Sequence, residues 1–382
     1  MRKKLPRIIS LMLSVTVLTA ALQYPVSADD DEQPCIIYYN LIDEENDGTF
    51  DYAAVSGYDR TTSTVIISDT VEDLPVREIS DNAFFKCSEL ESITIPDSVV
   101  SIGNSAFQYC DKLTDTVMPN SVTSLGDWAF AECTSLEQIE LSESLENVGR
   151  GVFQGCENLT NINIPESMTS IGVNMFLGCK NLGGFSEFST AVKSIKEGAF
   201  AGCSFLIYLN VPISVTDIGR YAYCECTGLE KIGVNKYVTS IGEGAFKKCT
   251  KLRSITIENI ECEIYDSADT ICTGYNSNGE IYFDGTICGH DNSTAQAYAK
   301  KYGYKFLSLG DGTEYDYKTV KGDADLDGKV SVRDTALIAR MTAQGKADEL
   351  PTASDFNVDG TVNVRDAAAI ARYLAEGKKN DL

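Results

Sequence analysis

Two stretches near the C-terminal end hold the residue types and spacing that could do chemistry. One contains Asp323, Asp325, Asp327, Gly328, Lys329, Ser331 and Asp334. The other, 32 residues on, contains Asp355, Asn357, Asp359, Gly360, Thr361, Asn363 and Asp366. Each places side-chain oxygens at positions 1, 3, 5, 9 and 12 of a twelve-residue loop, with glycine at position 6. Oxygens at the first three positions wrap a hard cation, and the glycine permits the sharp turn. The backbone carbonyls of Lys329 and Thr361 supply position 7. Ser331 and Asn363 coordinate directly or through water, and Asp334 and Asp366 close the shell. The chemistry is calcium binding, one ion per loop and two ions in all.

The elements that position these ligands are the segments that follow. Residues 332–340 read Val-Arg-Asp-Thr-Ala-Leu-Ile-Ala-Arg and residues 364–372 read Val-Arg-Asp-Ala-Ala-Ala-Ile-Ala-Arg, two helices of nearly the same sequence. Position 12 is Asp rather than Glu, and Gly322 abuts Asp323, so no helix precedes the first loop. Both features separate the region from a calmodulin-like EF-hand sensor. Region 322–377 resembles a type I dockerin, a small all-α domain with two calcium-binding F-hand loop-helix motifs. The resemblance implies a cohesin module of a scaffold protein as partner, with calcium holding the helices in place. It also implies cohesin contacts at Val332, Arg333, Ala339 and Arg340 and at their twins Val364, Arg365, Ala371 and Arg372. Many dockerins carry Ser-Thr-like pairs where this chain has Val-Arg twice. The near-identity of the halves predicts binding in two orientations related by ~180°.

A longer repeat fills the middle of the chain. Cys87, Cys110, Cys133, Cys156, Cys179, Cys203, Cys226 and Cys249 recur every 23 residues, with one step of 24. Three residues before each stands Phe or Tyr, and three residues after each stands Leu. Alternating apolar pairs such as Ile93/Ile95 and Ile162/Ile164 follow, the pattern of a strand with one buried face. One 23-residue coil cannot bury its own apolar side, so neighbouring coils must stack. The expected architecture is a β-rich solenoid of parallel strands with short helical turns at Ala-Phe-x-x-Cys. Residues 238–257, Val-Thr-Ser-Ile-Gly-Glu-Gly-Ala-Phe-Lys-Lys-Cys-Thr-Lys-Leu-Arg-Ser-Ile-Thr-Ile, resemble the BspA-type leucine-rich repeat.

The predicted organisation is a signal peptide at 1–28, an N-terminal cap at 29–75 and about eight repeats at 76–261. A C-terminal cap at 262–310, a linker at 311–321 and the dockerin-like region at 322–382 complete it. In the C-terminal cap, Ser293 and Gln296 form a capping box that opens a helix ending near Gly303. The signal peptide is read from Arg2, Lys3, Lys4 and Arg7, the apolar stretch 8–22, and Val26-Ser27-Ala28 before an acidic run. No later stretch is apolar enough to insert in a membrane after cleavage. The expected location is therefore secreted, extracellular or held at a cell surface through cohesin.

Composition limits the remaining classes. The formal charge is −24, and loss of four basic residues with the signal takes it to −28. Nucleic acid is excluded as a partner, because phosphate recognition needs a basic face. A single histidine, His290, argues against multi-His metal sites, and its place in the C-terminal cap makes it a loop or capping residue. The ladder cysteines are read as small buried hydrophobes, with Cβ spacing of ~4.8 Å set by the strands. Cys35, Cys224, Cys262, Cys272 and Cys288 leave a pairing such as Cys262–Cys272 open. No nucleophile elbow, phosphate loop or zinc signature is present, so the chain is expected not to be an enzyme. The strip between the buried apolars includes Ser92/Thr94, Asp115/Val117, Gln138/Glu140, Asn161/Asn163, Tyr208/Asn210 and Lys231/Gly233, and reads as polar and irregular. Trp128, the only Trp, is read as a surface packing residue.

The function these features imply is that of an exported interaction protein. The dockerin-like region would join a cellulosome-like, polysaccharide-degrading complex and display a repeat domain for an unknown protein or glycan. The alternative is a carbohydrate-binding or glycan-degrading subunit with its activity in the repeats.

Overall fold

The computed structural model describes residues 24–26, 35–60, 62–183, 187–310, 324, 332–347, 350 and 362–375. They divide into two compact units, Met1–Asp311 and Gly312–Leu382. The first is a parallel β-solenoid. One ribbon of strands runs Thr64–Ile66, Ser92–Thr94, Asp115–Val117, Gln138–Glu140, Asn161–Ile164 and Glu187–Phe188. It resumes as Tyr208–Asn210, Lys231–Val234, Ser254–Ile257, Thr286–Gly289 and Lys305–Ser308. The interruption falls at the coil with the 24-residue step, where one extra residue breaks the ladder. A second ribbon is built from two-residue strands that pair a polar residue with an apolar one, such as Ser101–Ile102, Ser124–Leu125 and Ser240–Ile241.

The third side of each coil carries the aromatic and the cysteine. The turn of helix expected there is instead a run of tight turns. Residues two before and two after each aromatic are left-handed: Asn82 and Lys86 around Phe84, Trp128 and Glu132 around Phe130, Gly151 and Gly155 around Phe153. These αL positions end any helical run before it can nucleate. They also turn the aromatic's N–H outward to the next coil: Phe84 N–H donates to the Ala106 carbonyl at 2.7 Å and Phe107 N–H to that of Ala129 at 2.7 Å. In an α-helix that donor would stay within its own segment.

Between the ribbons and the turns lies one continuous core. Phe84, Phe107, Phe130, Phe153, Phe176, Phe200, Tyr223 and Phe246 form a single stack, with neighbouring centroids 4.9–5.9 Å apart and planes within 17°. The cysteines form a parallel ladder. The thiol of Cys156 donates to the Phe130 carbonyl at 3.1 Å and that of Cys179 to the Phe153 carbonyl at 3.0 Å, a bond that recurs from Cys110 to Cys249. Burial pushes these thiols well above their ordinary range. Such a thiol is a packing residue with a weak donor, and not a metal or redox site. Cys262 and Cys272, whose pairing the sequence leaves open, are separate buried thiols.

A second ladder runs along the edge of the Ser-Ile-Gly ribbon. The Asp81 carboxylate accepts from Asn104 N–H at 2.6 Å, the Asn104 side chain from Asp127 N–H at 2.7 Å, and Asp127 from Arg150 N–H at 2.8 Å. The close approach of these coils explains the glycine beside each rung. A Cβ on Gly126 would lie 2.4 Å from the Asn104 nitrogen.

Both solenoid ends are covered. Cys35–Ile42 and Tyr52–Tyr58 pair antiparallel at the N-terminal end, and Tyr52–Tyr58 leads into the parallel ladder through Leu74–Ile79. The signal segment expected at 1–28 lies outside the described residues except Tyr24–Val26, which pairs antiparallel with the strand that starts at Cys35. At the C-terminal end, α1 (Thr294–Tyr302) starts at Ser293, whose hydroxyl accepts from Gln296 N–H at 3.2 Å, and ends at left-handed Gly303. The Gln296 side chain accepts from Asn292 N–H at 2.8 Å, one residue earlier than the expected reciprocal bond. Among the described residues no helix is long and apolar enough to cross a membrane.

Candidate functional site

The second unit consists of two helices and the residues leading into them. α2 (Val332–Ala343) and α3 (Val364–Ala375) pack through Ile338 and Ile370, both fully buried, in one cluster with Ala324 and Ala367. α2 ends in a Schellman turn: Gly345 is left-handed, and Lys346 N–H reaches back to the Met341 carbonyl at 2.8 Å. The offset of 32 residues in the sequence is therefore an offset between equivalent helix positions.

Asp334 and Asp366 sit in the first turns of α2 and α3, and both are fully buried. Asp334 Oδ1 accepts from Ala324 N–H at 2.8 Å, tying the start of the first loop to its helix. Asp366 Oδ2 accepts from Asn363 N–H at 2.9 Å, and the Asn363 side chain accepts from Arg365 N–H at 2.9 Å. A buried carboxylate is costly unless charge and hydrogen bonds compensate it. At position 12 of the ligand spacing read from the sequence, such a carboxylate has the chemistry that a hard divalent cation completes. Residues Asp323, Asp325, Asp327, Lys329, Ser331, Asp355, Asn357, Asp359 and Thr361 lie outside the described residues. Among the described residues no group of three or more His, Cys, Asp or Glu is placed to hold a metal.

All eight residues proposed for partner contact are exposed: Val332, Arg333, Ala339 and Arg340 on α2, and Val364, Arg365, Ala371 and Arg372 on α3. Val332 is 74% and Val364 57% accessible, unusual values for valine on a small packed domain. A shallow depression lined by Val332, Thr335, Ala336, Ala339, Ala371 and Leu374 draws residues from both helices.

On the solenoid, the strip predicted between the buried apolars is indeed outward-facing, but it is less uniformly polar than the sequence suggests. Phe205 (58%), Ile207 (40%) and Tyr208 (59%) stand exposed together, next to the interrupted coil. Comparing coils would have exposed the signal. Two residues after the cysteine, other coils carry Glu89, Lys112, Ser135, Asn158, Asn181, Gly228 and Lys251, and this coil alone carries an aromatic. Trp128 behaves as expected of a packing residue, lying over Gly151 with the Arg150 guanidinium 5.7 Å from its ring. His290 is buried in the C-terminal cap, where its carbonyl accepts from the Ser293 hydroxyl at 2.6 Å.

The fold and these twin helices define a leucine-rich-repeat solenoid carrying a small calcium-type loop-helix domain. The chain belongs to the BspA-type leucine-rich-repeat family: the family model described as "BspA type Leucine rich repeat region" matches in six copies over residues 63–183 and 184–273. The one described as "Dockerin type I domain" matches residues 321–375. A type I dockerin implies calcium binding and a cohesin partner, and the repeats imply an interaction surface. No curated protein matches the chain at a significant level. Among solved structures, a leucine-rich repeat protein from Bacteroides ovatus is 25% identical, with TM-score 0.52 over 72% of this chain and 78% of its own. The T. pallidum leucine rich repeat protein is 28% identical, with TM-score 0.46 over 50% of this chain and 87% of its own. A leucine rich cell surface protein from Faecalibacterium prausnitzii is 21% identical, with TM-score 0.48 over 72% and 95%.

Proposed function

We propose that this is an exported, non-catalytic interaction protein. Its dockerin docks on a cohesin module of a scaffold protein in a calcium-dependent manner, and its solenoid is displayed as the recognition domain of a cellulosome-like, polysaccharide-degrading complex. Its place is then extracellular, or at a cell surface through the cohesin. The observation that carries the reading is the pairing of a buried carboxylate with an exposed face on each helix. Asp334 and Asp366 are fully buried, while Val332/Arg333/Ala339/Arg340 and Val364/Arg365/Ala371/Arg372 are all exposed. Two calcium ions, one per loop, would supply the positive charge that neutralises each cluster of carboxylates and fixes loop to helix. Asp334 and Asp366 would anchor the loops onto the helices, and the Ala324 N–H bond already orients the first of them. The helices then present a preorganised contact face.

The test is capture of the full chain on immobilised type I cohesin modules, with and without EDTA, beside an Asp334→Asn/Asp366→Asn variant. Capture should fall at least about tenfold in both cases, as expected when binding and folding of a metal domain are coupled. Capture that survives EDTA overturns the calcium assignment. Release of reducing ends from plant polysaccharides by the full chain overturns the non-catalytic reading.

A further inference from the structure

We propose that the outward face of the ribbon from Tyr208–Asn210 to Lys305–Ser308 binds an acidic polysaccharide, a polymer that carries carboxylates and hydroxyls along its whole length. This rests on the reading of the solenoid as a recognition domain and names the ligand class of that domain.

The face is a regular array. Tyr208, Lys231, Ser254, Thr286 and Lys305 occupy one register row across five parallel strands. Asn210, Gly233, Thr256, Cys288 and Leu307 occupy the next row. At ~4.8 Å per strand the rows extend ~19 Å. A row of this length suits an extended chain rather than an enclosed small molecule.

Its charge is opposite to that of the molecule. In a chain of net charge −24, Lys231, Lys305 and the adjacent Arg253 are all exposed here. Among the described residues none of the three takes part in an ion pair. Glu230, beside Lys231, accepts the Tyr208 hydroxyl at 3.0 Å, and Glu258 lies half-buried at the far rim, where burial raises its carboxyl. The corresponding strip of the first ribbon carries Glu91, Glu137 and Glu140 and no Lys or Arg at Thr64, Ile66, Ser92, Thr94, Val117, Gln138, Asn161 or Asn163. One strip is therefore divided into an acidic half and a basic half, and an anionic ligand is directed to the second.

The distribution of apolar groups selects a polysaccharide over a protein. Protein interfaces bury an apolar centre inside a polar rim. Here the order is reversed: the centre is made of partly buried hydroxyls and a glycine, at Ser254, Thr286, Thr256 and Gly233, with the Cys288 thiol buried among them. The exposed apolars stand at the two ends, Phe205 and Ile207 at one and Leu307 (56%) at the other. A ligand made of hydroxyls and carboxylates finds donors and acceptors there at Ser254, Thr256 and Thr286. The Tyr208 ring, held through its hydroxyl by Glu230, offers its electron-rich face to the C–H face of a sugar at the end of the row. Asn210 lies across Gly233, where a Cβ would come 2.7 Å from its Oδ1, so the glycine keeps this amide flat on the face.

The experiment is affinity electrophoresis of the full chain in gels containing polygalacturonate, its neutral methyl ester, or poly-L-glutamate. Polygalacturonate should retard the protein, with an effect that fades as salt screens the lysines. The Lys231→Glu/Lys305→Glu variant should bind about tenfold more weakly, as expected on placing like charges opposite an anionic partner, and Glu137→Gln/Glu140→Gln should bind as the parent does. An unchanged urea midpoint for each variant excludes misfolding. Absence of retardation by polygalacturonate, or equal retardation by the methyl ester, overturns the proposal. Equal retardation by poly-L-glutamate overturns the polysaccharide in favour of an acidic protein segment. Cohesin capture and reducing-end release are measured on the same preparations. Intact capture with no polygalacturonate binding therefore removes this inference alone, whereas lost capture or released sugar removes the reading on which it rests.

Discussion

Asp269 holds the last repeat to the C-terminal cap. Its carboxylate lies 2.6 Å from the Lys247 ammonium and accepts from the Ser267 hydroxyl at 2.7 Å. Burial works against its charge, but Lys247 and Ser267 overcome it, so the carboxyl titrates below the usual range. A carboxyl depressed in the folded state stabilises above its unfolded pKa of about 3.9 and stops doing so as the pH falls through the folded value. Asp269→Asn should thus cost about 1 kcal/mol at neutral pH, and the gap to the parent should narrow as the pH falls below the unfolded carboxyl range, measured by urea unfolding along a pH series. Residues differ in how far the sequence announces them. The period alone turned each ladder cysteine inward. The target of its S–H could not be read, because the carbonyl that accepts from Cys156 belongs to Phe130, 26 residues back, and only stacking brings it there. Phe205 escaped notice for a similar reason: its position is ordinary within one coil and exceptional only across coils.

At the scale of the element, the aromatic stack is the strongest single feature of the solenoid. Phe153 is fully buried, between Phe130 at 5.8 Å and Phe176 at 5.9 Å. Phe153→Ala should cost about 3–5 kcal/mol, from lost burial plus a cavity that rigid coils on either side cannot close. Because each coil touches only its neighbours, hydrogen-exchange protection should drop first in the two adjoining coils. Uniform loss of protection along the whole solenoid would contradict this local coupling. The strands and their inward faces were legible because period two and period 23 coincide in the sequence. The turns were not. Gly151, Gly155, Gly178 and Asn82 hint at left-handed backbone, but Ser105, Trp128 and Tyr221 hold the same conformation with nothing in their type to favour it. Hydrogen bonds to the next coil override their local preference, and the expected helical turn gives way.

At the scale of the whole molecule, the dockerin carries two helices of nearly the same sequence, and the proposed cohesin contacts recur on both. If either face suffices, Arg333→Ala/Arg340→Ala and Arg365→Ala/Arg372→Ala should each leave cohesin capture nearly intact, while all four changes together abolish it. Complete loss from one pair alone would assign binding to a single face. The division of charge belongs to this scale too. The bulk figure of −24 hides a basic strip on the last five strands and a small domain whose acids are mostly proposed ligands. The proposed calcium ligands can be assigned from the sequence alone, since ligand spacing is local, and of them the structure describes Asp334, Asn363 and Asp366. The basic strip cannot be read in that way, since Lys231 and Lys305 are 74 residues apart and meet in one row only through three intervening strand pairings. The 23-residue coil has a further consequence, in the currency of inheritance. Removal or duplication of one whole coil rejoins phenylalanine to phenylalanine and cysteine to carbonyl in the same register. The distance between the caps is then a counted quantity, changed in steps of ~4.8 Å by the simplest of genetic events, with no new side chain needing to be invented.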